Sequence, residues 1–169
     1  MSFQSALFFT LKHEGGYSCD PRDPGGATCQ GITQRTYDAW RKSSGLPAAD
    51  VKNIDHVTVE TIYKMGYWFA AHCDQMPDKL AAIVFDTAVN TGVSYAMRML
   101  QTCLGLAPDG AYGPKTAAGI AAADVDTLTF KYLEARKDHY EDIVERNPGQ
   151  SVYLRGWLNR VNYLAQEIA

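Results

Sequence analysis

The chain has 169 residues, 46% of them apolar, with four cysteines and a formal net charge of −3. That length supports one domain able to bury most of its apolar surface without disulfides or a structural metal, and the slightly acidic balance gives nucleic acid and anionic membranes no reason to bind. No stretch approaches the ~20 apolar residues of a membrane span, and Cys19, Cys29, Cys73 and Cys103 form no CxxC pair, which argues against a zinc ribbon or a thioredoxin-like site.

The start, MSFQSALFFTLKHEGG, lacks the basic region, the continuous apolar run and the small-residue cleavage site of a signal peptide, so the protein is expected to be made in the cytoplasm without a readable export signal. Phe3, Leu7, Phe8 and Leu11 follow the spacing of one helix face, and the run stops at Glu14-Gly15-Gly16, where glycine suits the left-handed turn that closes a helix. Residues 13–33, HEGGYSCDPRDPGGATCQGIT, are rich in turn formers and nearly empty of apolar side chains, and read as a Gly-rich loop or short hairpin. TQRTYDAWRK offers Thr33 as an N-cap with Tyr37 and Trp40 on one face, and TVETIYKMGYWFAAHC begins at a second cap, Thr58. Residues 77–104 place apolar and small residues at helical spacing with a break near Thr91-Gly92, and Asp109-Gly110 marks a turn. Pro114 suits the first turn of a short helix. Two more helices are expected, from about Val125 to Glu145 and from about Ser151 to the end, parted by Asn147-Pro148-Gly149. Nothing alternates as a set of strands, so the expected fold is mainly α in a single domain.

The unpackable stretch 13–33 carries the chemistry. Glu14 falls at the C-terminal end of the first helix, where unsatisfied carbonyls disfavour an anion and favour the protonated carboxyl that a general acid needs. Asp23 follows nine positions later and Thr28 five after that, on a segment able to set a second carboxylate and a hydroxyl across a cleft. Two carboxyl groups facing each other over a gap are what glycoside hydrolysis requires. The competing role for Asp20, Asp23 and Thr28 is that of turn residues bonded to their own backbone. Tyr17 adds an aromatic edge with a hydroxyl. Downstream, Asp86 and Asn90 share a helix face, and either line a sugar cleft or bond within the protein; Tyr67, Trp68, Trp157, Arg155 and Arg160 divide between ligand contact and helix packing in the same way. Cys19 and Cys29 either pair in an oxidising compartment or stay reduced, while Cys73 and Cys103 read as buried small hydrophobes. His72-Cys73 are sequence neighbours on an apolar helix and point apart, which disfavours a Cys/His peptidase. His13, Cys19 and Cys29 lack the usual metal-ligand spacings.

HEGGYSCDPRDPGGATCQGIT resembles the signature of the glycoside hydrolase family 108 N-acetylmuramidases, phage endolysins and related bacterial proteins, which set their catalytic glutamate in Glu-Gly-Gly-Tyr. YWFAAHCDQMPDKLAAIVFDTAVNTG is similar to the family's central helices, and LQTCLGLAPDGAYGPKTAAGI with YLRGWLNRV is similar to its C-terminal, peptidoglycan-binding region. The resemblance implies a lysozyme-like helical fold, a hydrolase portion over 1–95 and a peptidoglycan-binding-like portion over 96–169 of one domain. It makes Glu14 the proton donor; Asp23 and Thr28 stand as the candidate water-holding residues, and Tyr17, Gly31, Asp86 and Asn90, read from the sequence itself, as the candidate substrate-binding residues. Many phage-type lysozymes space glutamate, aspartate and threonine by nine and six; here position 29 is cysteine and the threonine comes one earlier, at Thr28. The implied activity is cofactor-free and metal-free hydrolysis of the β-1,4 bond between N-acetylmuramic acid and N-acetylglucosamine. The implied partner is the peptidoglycan glycan strand, met by a monomeric endolysin in the cell wall; the lack of a readable export signal suggests release through a holin or by lysis. A lytic transglycosylase and a non-catalytic peptidoglycan-binding or secretion-assisting protein are the alternatives.

Overall fold

The computed structural model describes residues 1–14, 16–18 and 27–169. Helix α1, Phe3–His13, buries Phe3, Ala6, Leu7, Phe9 and Thr10, whereas Phe8 is 74% exposed. Five positions from Phe3 carry Phe8 ~140° around the helix, so Phe3, Leu7 and Thr10 form the inward face and the expected place of Phe8 on it is corrected. Contacts divide the described chain into two compact units, Leu7–Gly66 and Met1–Ala6 with Tyr67–Ala169.

In the unit Leu7–Gly66, strands β1, Thr28–Cys29, and β2, Ile32–Thr33, form an antiparallel hairpin with Cys29 opposite Ile32. Ser18 pairs with the other edge of Thr28 through two backbone hydrogen bonds of 2.8 Å. Helix α2, Gln34–Ser43, starts where the sequence places it, with the Thr33 side chain accepting from the Thr36 N–H. Gln34 then ties the following loop to this helix, donating to Ala49 O at 2.8 Å and accepting from the Val51 N–H at 2.7 Å. Helix α3, His56–Tyr63, begins two residues before Thr58: its cap is Asp55, whose carboxylate takes both the N–H and the hydroxyl of Thr58 at 2.8 Å. Those two bonds stabilise the ionised cap and hold the Asp55 carboxyl below its usual range.

The other unit is built around helix α4, Asp78–Thr91, in which every residue from Leu80 to Ala88 is buried. A helix that is apolar nearly all round belongs in a core, and α4 packs against α5, Val93–Cys103, and α7, Val125–Arg146. Gly92, at φ 89°, makes the break between α4 and α5. Short helix α6, Pro114–Ala122, precedes α7, and α8, Ser151–Glu167, packs on α7. Phe3, Trp68 and Phe85 meet edge to face with centroids 5.4 to 5.8 Å apart, which assigns Trp68 to the core. Helices α4 and α5 lie in the same compact unit, Met1–Ala6 with Tyr67–Ala169. The protein is mainly helical, with eight α-helices and one two-stranded sheet among the described residues. No helix among them is long and apolar enough to cross a membrane.

Candidate active site

Glu14 stands half-buried immediately after α1, its N–H bonded to Thr10 O at 3.1 Å. The residue before it, His13, turns back on its own helix, with Nδ1 2.9 Å from Phe9 O and its ring against Phe9. Across from Glu14 lies the hairpin turn. Gln30 and Gly31 both have positive φ, 50° and 76°, as a two-residue hairpin loop that follows the strand twist demands. A glutamine is uncommon in that conformation; here the Tyr63 hydroxyl at the end of α3 fastens it by donating to Gln30 O at 2.9 Å. Gly31 is required for a second reason. A methyl group there would collide with the Tyr63 hydroxyl and come within 3.1 Å of Glu14 Cγ and Oε2. The carboxylate of Glu14, the backbone of the turn and the phenol of Tyr63 therefore meet, and nothing larger than hydrogen fits between them.

Tyr17 is 44% exposed, and the Lys52 ammonium lies 5.5 Å above its ring centroid, a cation–π arrangement that fixes the ring at the surface. Thr28 is half-buried in β1, its backbone paired on one side with Ser18 and on the other with Thr33. Three elements thus bring Glu14, Gly31 and Tyr63 together, with Thr28 on β1 and Tyr17 next to Ser18, which bridges to Thr28. Asp23, Asp20 and Cys19 lie outside the described residues, and so does the Cys19–Cys29 pairing; Cys29 itself is a buried thiol. Tyr63 was missed by sequence reasoning, because a tyrosine at helical spacing reads as core.

Asp86 is no cleft residue. It is 1% exposed, and its two oxygens are held by Arg136 Nη2 at 2.7 Å and Arg160 Nη2 at 2.8 Å, with Arg160 Nε at 3.2 Å. Burial alone would raise its pKa, yet the two guanidiniums outweigh burial and bring the carboxyl down to about 2. The expected sugar-lining role is corrected accordingly: a carboxylate enclosed by two buried cations has no surface left for a ligand. Asn90, four residues on, is exposed, with its amide donating to Asp86 O at 2.8 Å. Of the C-terminal trio, Arg160 belongs to this ion cluster, Arg155 is exposed, and Trp157 stacks on Tyr140 and Tyr153. His72 and Cys73 form no catalytic pair. The His72 ring stacks on Tyr112, and burial pushes the Cys73 thiol far above its usual range.

A family model described as Glycosyl hydrolase 108 matches residues 7–92, and one described as Predicted Peptidoglycan domain matches residues 95–162. Among solved structures, the chain is similar to Brucella abortus SagA, with a TM-score of 0.81 and 30% sequence identity over 98% of this chain and 92% of that one. That likeness covers nearly the whole chain and sets the helical fold in the lysozyme-like class. No curated protein sequence matches.

Proposed function

The chain belongs to the glycosyl hydrolase 108 family and is a peptidoglycan hydrolase, and from that premise we propose that it is an N-acetylmuramidase, hydrolysing the β-1,4 bond between N-acetylmuramic acid and N-acetylglucosamine. Glu14 is the general acid: its carboxyl proton passes to the glycosidic oxygen as the bond to the anomeric carbon breaks. Asp23 and Thr28 hold the water that attacks that carbon, with the Asp23 carboxylate accepting its proton. Tyr17 and Gly31 line the path of the sugar. What supports the reading best is the seat of Glu14, a carboxyl at a helix end pressed against a turn whose glycine admits no side chain. Close backbone on one side limits the positions of the acid, and a general acid must be held to within a fraction of an ångström to be effective. We extend the proposal to the role of a monomeric endolysin that lyses the wall after release from the cytoplasm, on the resemblance of residues 13–33 to that group.

Mass spectrometry of muropeptides released from purified sacculi tests the bond assignment. Reducing N-acetylmuramic acid ends are expected. 1,6-Anhydro ends would make the protein a lytic transglycosylase, reducing N-acetylglucosamine ends would move the cut to the other glycosidic bond, and binding without release would leave a wall-binding protein.

A further inference from the structure

Within the unit Met1–Ala6 with Tyr67–Ala169, a row of aromatic side chains lies at the surface where α5, α7 and α8 adjoin. Tyr153 and Trp157, one turn apart on α8, stack with centroids 5.8 Å apart, and Trp157 stacks on Tyr140 of α7 at 5.1 Å. The row continues through His139 to Tyr95 of α5, whose hydroxyl is 2.7 Å from His139 Nδ1. Tyr153 is 55% and Tyr95 40% exposed, so the row opens to solvent at both ends. A groove of about 290 Å³ lies between Tyr95 and Trp157, bordered by Asn90, Thr91, Tyr95, His139, Tyr140, Ile143 and Trp157.

Trp157 shares the α8 face of Val161 and Leu164, and Tyr140 is 4% exposed, so one side of the row packs into the core; Trp157 itself is only half-buried, and the rings of Tyr153 and Tyr95 are left at the surface. The floor of the groove is nevertheless rigid. Arg136 donates Nε and Nη2 to the Tyr140 hydroxyl, both at 3.3 Å, while it pairs with Asp86. Arg160, three residues after Trp157, grips the other oxygen of Asp86. One buried carboxylate thus fixes both helices whose aromatic rings stack, and a surface set in place before binding loses little freedom on binding.

The chemistry of the groove is that of a sugar site. A pyranose offers a face of C–H bonds, which settles on aromatic rings, and a rim of hydroxyl and acetamido groups, which needs neutral donors and acceptors. Here the rim has the exposed Asn90 amide, the Thr91 and Tyr95 hydroxyls and an imidazole. Burial lowers the proton affinity of His139, Arg136 and Arg146 act in the same direction against Asp142, and the ring is hydrogen-bonded through Nδ1 to the Tyr95 hydroxyl. The described residues bordering the groove are therefore uncharged at neutral pH, which suits a neutral sugar better than an ionic stem peptide.

We propose that this groove binds an N-acetylhexosamine ring of the peptidoglycan glycan strand, seated against Trp157, with Tyr153 extending the aromatic surface beside it. The proposal rests on peptidoglycan being the substrate, and five of the bordering residues fall in the part matched as a predicted peptidoglycan domain.

The test uses full-length protein carrying Glu14→Gln, so that ligand is bound without being cut, with chitotetraose, muramyl dipeptide and purified sacculi as probes. Chitotetraose is expected to shift the Trp157 indole resonance. Trp157→Ala is expected to weaken sacculus pelleting roughly tenfold or more, the loss typical of a central aromatic anchor, and Trp157→Tyr to restore most of it. Tyr153→Ala, at an exposed position where folding is not at stake, is expected to weaken pelleting several-fold. Folded Trp157→Ala and Tyr153→Ala proteins that pellet like their parent would overturn the proposal, as would a Trp157 response to muramyl dipeptide with none to chitotetraose. Release of reducing ends by the protein with Glu14 intact is measured on the same sacculi. Release with unchanged pelleting of the variants removes the groove and leaves the enzymatic reading, whereas no release with pelleting lost in the variants removes that reading and leaves the groove.

Discussion

Replacing Asp86 by asparagine keeps shape and removes one charge from a site that is 1% exposed, between Arg136 at 0% and Arg160 at 9%. Both carboxylate oxygens take short bonds from guanidinium nitrogens, at 2.7 and 2.8 Å. Asp86→Asn leaves two buried cations facing a neutral amide, and breaking a buried pair in this way costs about 3–5 kcal/mol. For a chain of this size each kcal/mol lowers the melting temperature by about 2–4 °C, so a fall on the order of 10 °C is expected at pH 7. The pH dependence follows from the same contacts. Against the burial that alone would raise it, the arginines set the folded-state pKa of Asp86 at about 2, below the ~3.9 of an unfolded aspartate. A lowered folded value gives stability that is present above the unfolded pKa and is lost as pH falls through the folded one. Thermal melts of parent and variant should therefore differ most at neutral pH and converge between about pH 4 and pH 2. A variant melting within ~2 °C of the parent at pH 7, or a gap that persists unchanged into acid, would refute the assignment of Asp86 to a structural ion cluster.

Gly31→Ala should lower both stability and turnover, by about 1–3 kcal/mol for the strained backbone and further because the methyl group drives against Tyr63 and Glu14. Adding Tyr63→Phe removes the atom it meets first, so partial recovery in the double variant is expected, and strictly additive losses would contradict the packing described. Asp23→Asn should reduce kcat with little change in sacculus binding if Asp23 holds the attacking water; a loss of melting temperature in proportion to activity would make it a turn residue. Thiol alkylation of the native protein at pH 8 should leave Cys73 unmodified and the lytic rate unchanged, since burial keeps that thiol protonated; inactivation traced to Cys73 would revive a cysteine mechanism.

Helix boundaries were legible wherever a local device makes them. Thr33 caps α2, Gly92 parts α4 from α5, Pro114 opens α6, and Pro148 follows the end of α7. Each of these works within a few residues, so the sequence displays it. At α3, Asp55 and Thr58 are both capping residues, and the choice falls to Asp55 because its carboxylate satisfies Thr58 twice. Phe8 shows the limit of apolar spacing, which proposes a face without saying how wide it is. The position of Glu14 at the end of α1 was legible from the glycines that follow it in the sequence. Its neighbour Tyr63 was not, because the bond from Tyr63 to Gln30 spans 33 positions and leaves no periodic trace. The same holds for Asp86 and Arg160, 74 positions apart: an aspartate on an apolar helix announces that it needs a partner, not whether that partner is a ligand or an arginine.

The central claim is that Glu14 protonates the leaving oxygen of a peptidoglycan glycosidic bond, and the release of new reducing ends from purified sacculi by Glu14→Gln, compared with the parent, tests it most directly. The amide is nearly the same size but has no proton to give, so release should fall by ~10²–10⁴-fold or more while the circular dichroism spectrum and sacculus pelleting stay those of the parent. A folded Glu14→Gln protein releasing reducing ends within a few-fold of the parent would contradict the account.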